Sequence, residues 1–300
     1  MRVTSFTIFN QVTRALQQRL RDMSVYSDRL TSGLKINKPS DDVSGISNVL
    51  DYRINLNEIE QYKKNVDDVL SHLEYTDTIM NSVYNQISAA KERAVQASNG
   101  SLTPEDRASV AVEVENIRDE VIRLSQSTFR GRYIFSGHKT DTMPFDASFV
   151  YQGNSGEINV LIDRNSTLAV NIPGDEAFSV SGTTFMETLD DLTYALENNI
   201  VDQDDPPGPA GIRQALTSLE EIIDQISNVR ANVGARMKRL EEQKISLDDR
   251  SLAVNTLLSN TQDTDIAETV SELTKIQFAL ESLRASGSKV ISQSLLDFLK

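Results

Sequence analysis

The sequence predicts a mainly α-helical protein: an elongated, antiparallel coiled-coil helical body with a small inserted β domain. Three observations predict this fold class. Apolar residues recur at alternating steps of three and four over two long stretches, which is typical of coiled coils. Between those stretches the apolar period changes to two, which indicates strands. Both ends of the chain also carry apolar stripes at helical spacing.

The first long helix is predicted from twelve seam positions, of which only Thr76 is neither apolar nor aromatic. These positions are Ile59, Tyr62, Val66, Val69, Leu73, Thr76, Met80, Val83, Ile87, Ala90, Ala94 and Ala97. Asn99-Gly100 ends the helix, because Gly readily adopts the left-handed conformation. Thr103-Pro104 then predicts a capped second helix, and the short loop implies that the two helices are antiparallel.

The middle of the chain, residues 139–182, is the predicted β domain. Apolar residues alternate with their neighbours at 158–162 and at 168–172, and Arg164-Asn165-Ser166 supplies a turn between the two runs. The helical pattern stops just before it, in the stretch GRYIFSGHKTDTMPF at residues 131–145. A short amphipathic helix is expected after it, with one stripe formed by Phe185, Leu189, Leu192 and Leu196.

A second long helix begins at Ile212, and every seventh residue from there is apolar. This stripe consists of Ile212, Leu219, Ile226, Val233, Leu240, Leu247 and Val254. The companion positions, four residues after each of these, are less consistently apolar and include charged residues: Leu216, Ile223, Arg230, Met237, Lys244, Ser251 and Leu258. The pattern therefore predicts one buried stripe and one partly solvated stripe on the same helix.

The two ends of the chain are also predicted to be amphipathic helices. One stripe runs from Phe9 to Leu34 and the other from Ile266 to Phe298, so the ends are expected to pair with each other or with neighbouring copies. The stretch LTSGLKINKPSDDVSGI, residues 30–46, predicts a structured bend between two helices. Pro39 excludes a continuous helix, and Ser40-Asp41-Asp42 can cap the next one.

Composition excludes several classes of function. The chain has no Cys and two His, so thiol chemistry is excluded and a multi-histidine metal site is not expected. A net charge of −14 argues against a nucleic-acid partner. The charge is uneven, since residues 1–40 carry a net +5 and residues 139–211 a net −11. We find no catalytic motif, expect no cofactor or metal, and interpret His72 as a histidine at the solvent edge of the seam. Neither a signal peptide nor a membrane-spanning segment is visible, so no membrane partner is expected.

Stretches at both ends of the chain resemble the flagellin family. SGLKINKPSDDVSGI, residues 32–46, is similar to its N-terminal signature, and the segment from DTDIAETVSEL to SLLDFLK resembles its C-terminal region. Three features resemble the family's members at the junction of hook and filament: GRYIFSGHKTDTMPF, YQGNSGEINVLIDRNSTLAVNIPG and the SLLDFL ending. The resemblance covers essentially the whole chain in the family's order.

The resemblance implies a structural, non-enzymatic subunit of the bacterial flagellum, exported by the flagellar type III apparatus without a cleaved signal peptide. The implied partners are a homo-oligomeric ring of copies, the neighbouring hook-associated protein, flagellin, and a cytoplasmic export chaperone on the C-terminal helix. We expect polymerising terminal helices at 1–45 and 265–300, poorly ordered in the free monomer, a helical body at 46–138 and 183–264, and the β domain between. The expected assembly residues are Leu16, Leu20, Met23, Leu30, Gly33, Ile36, Pro39, Asp41, Asp42, Leu280, Leu283, Ile291, Leu295, Leu296, Phe298 and Leu299.

Two alternatives remain open at this point. Val43-Ser44-Gly45 stands where junction members commonly have a proline, and it is closer to flagellin itself, which keeps a flagellin-like filament subunit as the second interpretation. A helical signalling or adhesion module is the third, but it would need an anchor or a ligand pocket that the sequence does not indicate.

Overall fold

A computed structural model describes residues 5–99, 102–146, 149–202 and 210–298, and within these ranges it describes the side chains of residue 7 and of residues 9–288. The chain is mainly helical and divides into two compact units. One unit combines the residues up to Ile59 with those from Asp249 onward, and the other contains Glu60–Asp248. The predicted three-part division at residues 45, 138, 182 and 264 stays a prediction.

In the unit Glu60–Asp248, the long helices are α2 (Val43–Ser98), α3 (Pro104–Ser125) and α6 (Ile212–Gln262), the first and last of which extend beyond it. The predicted seam of α2 is confirmed, since eleven of its twelve positions are buried and only Tyr62 is partly exposed. The buried Thr76 fits the seam because its hydroxyl donates to the carbonyl of His72 at 2.9 Å. On α6, the predicted stripe is fully buried from Ile212 to Leu247.

Four ion pairs join α2 and α6 and define their antiparallel register. They are Lys63–Asp248, Asp67–Lys244, Asp77–Arg230 and Lys91–Glu220, so residue numbers rise on one helix as they fall on the other. Arg230 contacts Asp77 through Nε at 2.8 Å and Nη2 at 3.3 Å. The charged companion positions of α6 are therefore partly solvated, as predicted, because they form ion pairs at the edge of the seam. Each such pair contributes at most about 1 kcal/mol.

The strands form three separate two-stranded antiparallel hairpins. They are β1 (Thr128–Phe129) with β2 (Arg132–Tyr133), β3 (Asn159–Asp163) with β4 (Ser166–Ala169), and β5 (Ser179–Val180) with β6 (Thr183–Thr184). The first and third have two-residue turns, Arg130-Gly131 and Ser181-Gly182, in which both residues have positive φ. Such turns match the twist of a hairpin. The β structure thus begins at Thr128, next to the stretch at residues 131–145 in which the helical pattern stops.

Short helices flank the hairpins: α4 (Gly174–Ala177) and α5 (Phe185–Glu197). All four apolar residues of the predicted α5 stripe are buried. Helices α3 and α5 both begin with a capping box. The hydroxyls of Thr103 and Thr184 each accept a hydrogen bond from the backbone amide three residues later, and the acidic side chain of that later residue accepts one from the threonine's own amide. The N-cap predicted at Thr103 is therefore confirmed.

An aromatic cluster forms the core beneath the hairpins. Phe135 and Phe145 both contact Phe178 edge-on, with ring centroids 4.9 Å and 5.6 Å away, and Phe145 also packs on Tyr151. Phe135, Phe145 and Phe178 are each 1% exposed or less. The Tyr151 hydroxyl donates within 3.0 Å of the carbonyls of Phe135 and Asn154, so the aromatic stretch at 131–145 is packed into a core.

The hairpin β3–β4 is held against the long helices by polar side chains. Arg236 on α6 donates to the carbonyls of Ala169 and Asn171 at 3.1 Å and 3.2 Å. From α2, Asn65 donates to the carbonyl of Leu161 at 2.7 Å. Hydrogen bonds from charged donors to backbone carbonyls contribute more than neutral ones, so these contacts fix the hairpin on the helices.

His72 lies deeper than the solvent edge predicted for it. The side chain is half-buried, its Nδ1 is buried without a hydrogen-bond partner among the described residues, and its ring meets Phe129 edge-on at 5.3 Å. Burial lowers the pKa of His72, opposed by a backbone hydrogen bond with Val170. The hairpin β1–β2 causes the difference, because it brings Phe129 over a flanking position of the seam.

Candidate assembly interface

The two ends of the chain pair with each other. Helix α1 (Ser5–Ser32) packs along α7 (Ile266–Phe298). At one end of the pair the Thr264 amide donates to the carbonyl of Gly33 at 2.9 Å, and at the other Val12 lies beside Gly287. The helices are therefore antiparallel, which confirms the expectation that the two terminal stripes meet.

Two helices alone bury little of their apolar surface. On α7, Ile276 and Leu280 are 5% and 6% exposed, whereas Phe278 is 65% exposed. Exposed large apolar side chains follow both helices: Phe9, Leu20, Val25 and Leu30 on α1, and Ile266, Val270 and Phe278 on α7. We call these seven residues, which lie on more than one face of the two helices, the open stripe. Large apolar side chains exposed in this number along a helix pair mark sites of protein association.

A groove of about 310 Å³ lies between α1 and α7. Val12, Leu16 and Leu283 line it, together with Gly287. A Cβ at Gly287 would lie 3.1 Å from Cγ1 of Val12, so the missing side chain is what allows the helices to approach closely there.

The bend after α1 is fixed by two carboxylates. Asp41 Oδ2 accepts the amides of Asn37 at 3.0 Å and Lys38 at 2.8 Å, and Asp42 Oδ1 accepts the amides of Ser44 and Gly45. The amides of Lys38 and Asn37 lower the pKa of the Asp41 carboxyl, so it stays ionised at neutral pH. Asp42 caps α2, as the sequence predicts.

Two glycines make this bend possible. Gly33 ends α1 with a φ of 73°, a conformation that favours glycine. Ile36, only 2% exposed, packs over Gly45, where a Cβ would lie 2.4 Å from its Cδ1. A side chain at position 45 would displace Ile36 from its buried site.

Gln262, the last residue of α6, connects the bend to the rest of its unit, and no sequence pattern predicts this role. Its carbonyl accepts the amides of Lys35 at 2.6 Å and Ile36 at 3.3 Å. Its side chain donates to the carbonyl of Ile36 at 3.3 Å and accepts from Arg53 at 3.2 Å. Gln262 is 5% exposed, and a buried amide with these partners determines where the bend lies.

Comparison with known families gives the context of this arrangement. The model of the bacterial flagellin N-terminal helical region matches residues 3–140, and that of the bacterial flagellin C-terminal helical region matches residues 216–299. The two halves occur in order and together cover most of the chain. The chain belongs to the flagellin family.

Relatives that match this flagellin-family chain over most of its length include proteins named flagellar hook-associated protein 3 and proteins named flagellin. Flagellar hook-associated protein 3 of Escherichia coli K12 is 26% identical over 299 residues, and its Salmonella typhimurium LT2 counterpart is 26% identical over 301, each with 94% of both chains covered. A flagellin of Listeria monocytogenes is 24% identical, covering 94% of this chain and 93% of its own.

Solved structures share the fold. A putative flagellar hook-associated protein from Vibrio parahaemolyticus superposes with a TM-score of 0.68 at 22% identity, covering 74% of this chain and 100% of its own. FlgL from Bacillus cereus gives a TM-score of 0.59 at 22% identity, covering 70% and 99%. These similarities support the helical fold with small hairpins.

The predicted assembly residues of the flagellin-family chain fall into four groups. Leu16 and Leu283 meet in the groove, Leu280 is buried nearby, and Met23 is half-buried on α1. Leu20 and Leu30 belong to the open stripe, while Gly33, Ile36, Pro39, Asp41 and Asp42 form the bend. Leu299 lies outside the described residues, as do the side chains of Ile291, Leu295, Leu296 and Phe298. Their role in assembly stays a prediction.

Within the ranges given above, no helix is long and apolar enough to cross a membrane. No group of three or more His, Cys, Asp or Glu is arranged to hold a metal ion among those same residues.

Proposed function

We propose that this flagellin-family chain is the junction subunit of the bacterial flagellum, a structural adaptor that joins the hook to the flagellin filament. Its neighbours would be a hook-associated protein on one side and flagellin on the other. Two relatives named flagellar hook-associated protein 3, which cover 94% of this chain and of themselves, support this role. A structural adaptor of this kind transmits force through its packing, and we propose no catalysed reaction for it.

The open stripe is the observation that carries the proposal. Seven large apolar side chains, 38% to 65% exposed, lie along a pair of helices formed by the ends of the chain. Fully burying one such side chain is worth about 2 kcal/mol, so covering the remaining half of seven gives about 7 kcal/mol per subunit. Part of this is lost to the entropy of association, and repeated contacts between many copies compensate for it.

The open stripe also supports two further parts of the proposal, a ring of copies and an export chaperone. We propose that the copies form a ring, in which each pair of terminal helices packs against its neighbours. Before assembly the same stripe would promote aggregation, so a cytoplasmic chaperone on the C-terminal helix would have a physical reason to bind. Export without a cleaved signal peptide belongs to the same proposal and rests on the resemblance to the flagellin family.

A filament subunit is the second candidate function. The Listeria monocytogenes flagellin, 24% identical over 94% of this chain, favours it, as does Val43-Ser44-Gly45 in the bend. A filament subunit would polymerise alone into long filaments in vitro, whereas a junction subunit would require its neighbours.

The test is deletion of the gene followed by complementation with Phe278→Asp. Phe278 is 65% exposed, so we expect the variant to fold normally and to be exported, but to fail in assembly. Hooks without filaments, and flagellin monomers shed into the medium, are the expected result by electron microscopy and immunoblotting. The matched control is Gln277→Asp, which adds the same charge at an exposed polar position and should keep cells motile.

Two outcomes would contradict the proposal. Normal filaments on cells that carry Phe278→Asp would show that the open stripe is not an assembly surface. Normal filaments on cells that lack the gene would exclude the junction role. Loss of the filament together with long polymers of the purified chain would instead support the filament subunit.

A further inference from the structure

His72 borders a cavity of about 440 Å³ in the unit Glu60–Asp248. Helix α2 forms one wall of this cavity, and the hairpins β1–β2 and β3–β4 line the rest of it. Phe129 of β1 meets the His72 ring edge-on at a centroid distance of 5.3 Å and also contacts the Tyr75 ring at 5.6 Å. The imidazole therefore lies between a long helix and a hairpin that has only two residues in each strand.

The surroundings of the His72 ring favour its neutral state. Its Nδ1 is buried and has no hydrogen-bond partner among the described residues. A protonated imidazole is a donor at both nitrogens, so the charged ring would need an acceptor at Nδ1 that the structure does not offer. Burial lowers the pKa of His72, and a backbone hydrogen bond with Val170 only partly opposes this effect.

The charged side chains that line the cavity are already paired or of the wrong sign for a His72 cation. They are Asp68 on α2 and Arg130 and Arg132 on the hairpin β1–β2, while the described residues of β3–β4 contribute uncharged side chains to the lining. Asp68 lies four residues before His72, the spacing at which a carboxylate and a cation can pair on a helix. Its Oδ1, however, accepts from Arg130 Nη2 at 2.9 Å, so this carboxylate holds the hairpin in the observed arrangement.

The hairpin β1–β2 is attached by weaker contacts than β3–β4. It meets α2 through the ring of Phe129 and through the Asp68–Arg130 pair, whose side chains are 61% and 65% exposed. An exposed pair of this kind contributes at most about 1 kcal/mol. Side chains of α2 and α6, by contrast, donate directly to backbone carbonyls in and beside β3–β4. A change at His72 is therefore expected to displace β1–β2 first.

We propose that protonation of His72 releases the hairpin β1–β2 from α2, which makes this histidine a pH-sensitive switch. The charged ring gains water and the Asp68 carboxylate as hydrogen-bond acceptors. In return, Phe129 loses its edge-on contact and Arg130 loses its carboxylate partner. The only group transferred is a proton, which passes from solvent to the imidazole. Release of the hairpin does not depend on the proposed flagellar role.

The test is amide hydrogen exchange of the full chain at pH 7.5 and pH 5, expressed as protection factors so that the pH dependence of intrinsic exchange is removed. The amides of Tyr133 and Ile134 report on the hairpin, because they donate to the carbonyls of Thr140 and Ser127. A two-stranded hairpin is marginally stable by itself, so these bonds should open once it leaves α2.

The size of the expected effect follows from the binding of one proton. A released imidazole has the ordinary His pKa of about 6.5, so protection of the two amides should fall by up to about 30-fold between pH 7.5 and pH 5. Exchange at these amides should also respond only weakly to low concentrations of urea, because release of a short hairpin exposes little surface.

Two substitutions at His72 and one control separate the switch from a general effect of acid. His72→Phe places a ring of similar size that cannot be protonated, and His72→Gln places a neutral polar side chain. Neither variant should lose protection between the two pH values. His138→Gln is the matched control, since His138 is the exposed second histidine of the chain and does not line the cavity. This variant should keep the full response to pH.

Three results would overturn the proposal. The first is a wild type in which protection of the two amides changes by less than a factor of two between pH 7.5 and pH 5. The second is a loss of protection in His72→Phe and His72→Gln that equals the loss in the wild type. The third is exchange at pH 5 that responds to urea as steeply as global unfolding, since the whole chain rather than the hairpin would then open.

Discussion

Replacing Gln262 by Ala tests whether its side chain holds the bend after α1. The substitution removes the donor to the carbonyl of Ile36 and the acceptor for Arg53. It keeps the backbone carbonyl that accepts the amides of Lys35 and Ile36, and Ala has a higher helix propensity than Gln. The change is therefore confined to two side-chain hydrogen bonds.

The magnitude follows from those two hydrogen bonds. The bond to Ile36 joins neutral groups and is worth about 1 kcal/mol, and the bond from the Arg53 guanidinium is worth about 2 kcal/mol. Opening of the bend should therefore become easier by about 3 kcal/mol. Since each 1.4 kcal/mol is a factor of ten, this corresponds to a loss of about 100-fold in amide protection.

Hydrogen exchange at the amides of Lys35 and Ile36 is the assay, because both amides donate to Gln262 and report on the bend directly. Arg53→Met removes only the charged donor, so it should lower protection by about 30-fold. Gln277→Ala is the control on an exposed glutamine and should leave these amides unchanged.

The reasoning is refuted if Gln262→Ala keeps the protection of Lys35 and Ile36 within a factor of two of the wild type. The same conclusion follows if the variant lowers protection equally throughout the chain, since a general loss of stability would not identify the bend. A graded series, in which Arg53→Met lies between the wild type and Gln262→Ala, would assign the effect to the two hydrogen bonds.

Two further predictions concern the unit Glu60–Asp248. Arg107 is 5% exposed, and its guanidinium donates hydrogen bonds to the carbonyls of Ala97 and Asn99 and to Asn199 Oδ1. Arg107→Ala removes all three bonds, so it should lower the free energy of unfolding, measured in urea, by about 3 kcal/mol. Arg93→Ala, which removes an exposed ion pair with Glu113 and an exposed hydrogen bond to Gln96, should cost less than about 1 kcal/mol, and an equal loss would contradict the role of Arg107. Because burial lowers the pKa of His72 below its usual 6.5, the unfolded chain binds a proton first, and stability is lost as the pH falls below 6.5. His72→Phe should remove up to about 1.4 kcal/mol per pH unit of this dependence in urea titrations at pH 5 to 7, and an unchanged slope would show that His72 is not its source.

Periodic features of the fold could be predicted from the sequence because burial recurs with the helical period. The seam of α2 and the stripe of α6 are examples, and even the mixed companion stripe was interpreted correctly as partly solvated. Caps were equally predictable at Thr103 and Asp42, since capping depends on a few adjacent residues.

Contacts between residues that are far apart in the sequence produce no periodic pattern from which they could be predicted. Gln262 bonds to Ile36 across more than two hundred positions, and no spacing near either residue indicates it. The cover over His72 depends on where the hairpin β1–β2 folds back, which a flanking seam position does not reveal. The described β structure consists of three separate two-stranded hairpins, and the period-two pattern does not reveal that they stay separate.

The same apolar period is covered in one part of the chain and exposed in another, and this difference supports the proposed function. On α6, the stripe from Ile212 to Leu247 is fully buried within the chain, while the pair α1–α7 leaves the stripe residues Phe9 and Ile266 about half exposed or more. A heptad pattern states that a helix face will be covered, but not whether the cover comes from its own chain or from another copy. The structure is needed to tell a stripe that is buried within its own chain from one that remains exposed. The proposed assembly surface therefore lies on the two helices formed by the ends of the chain.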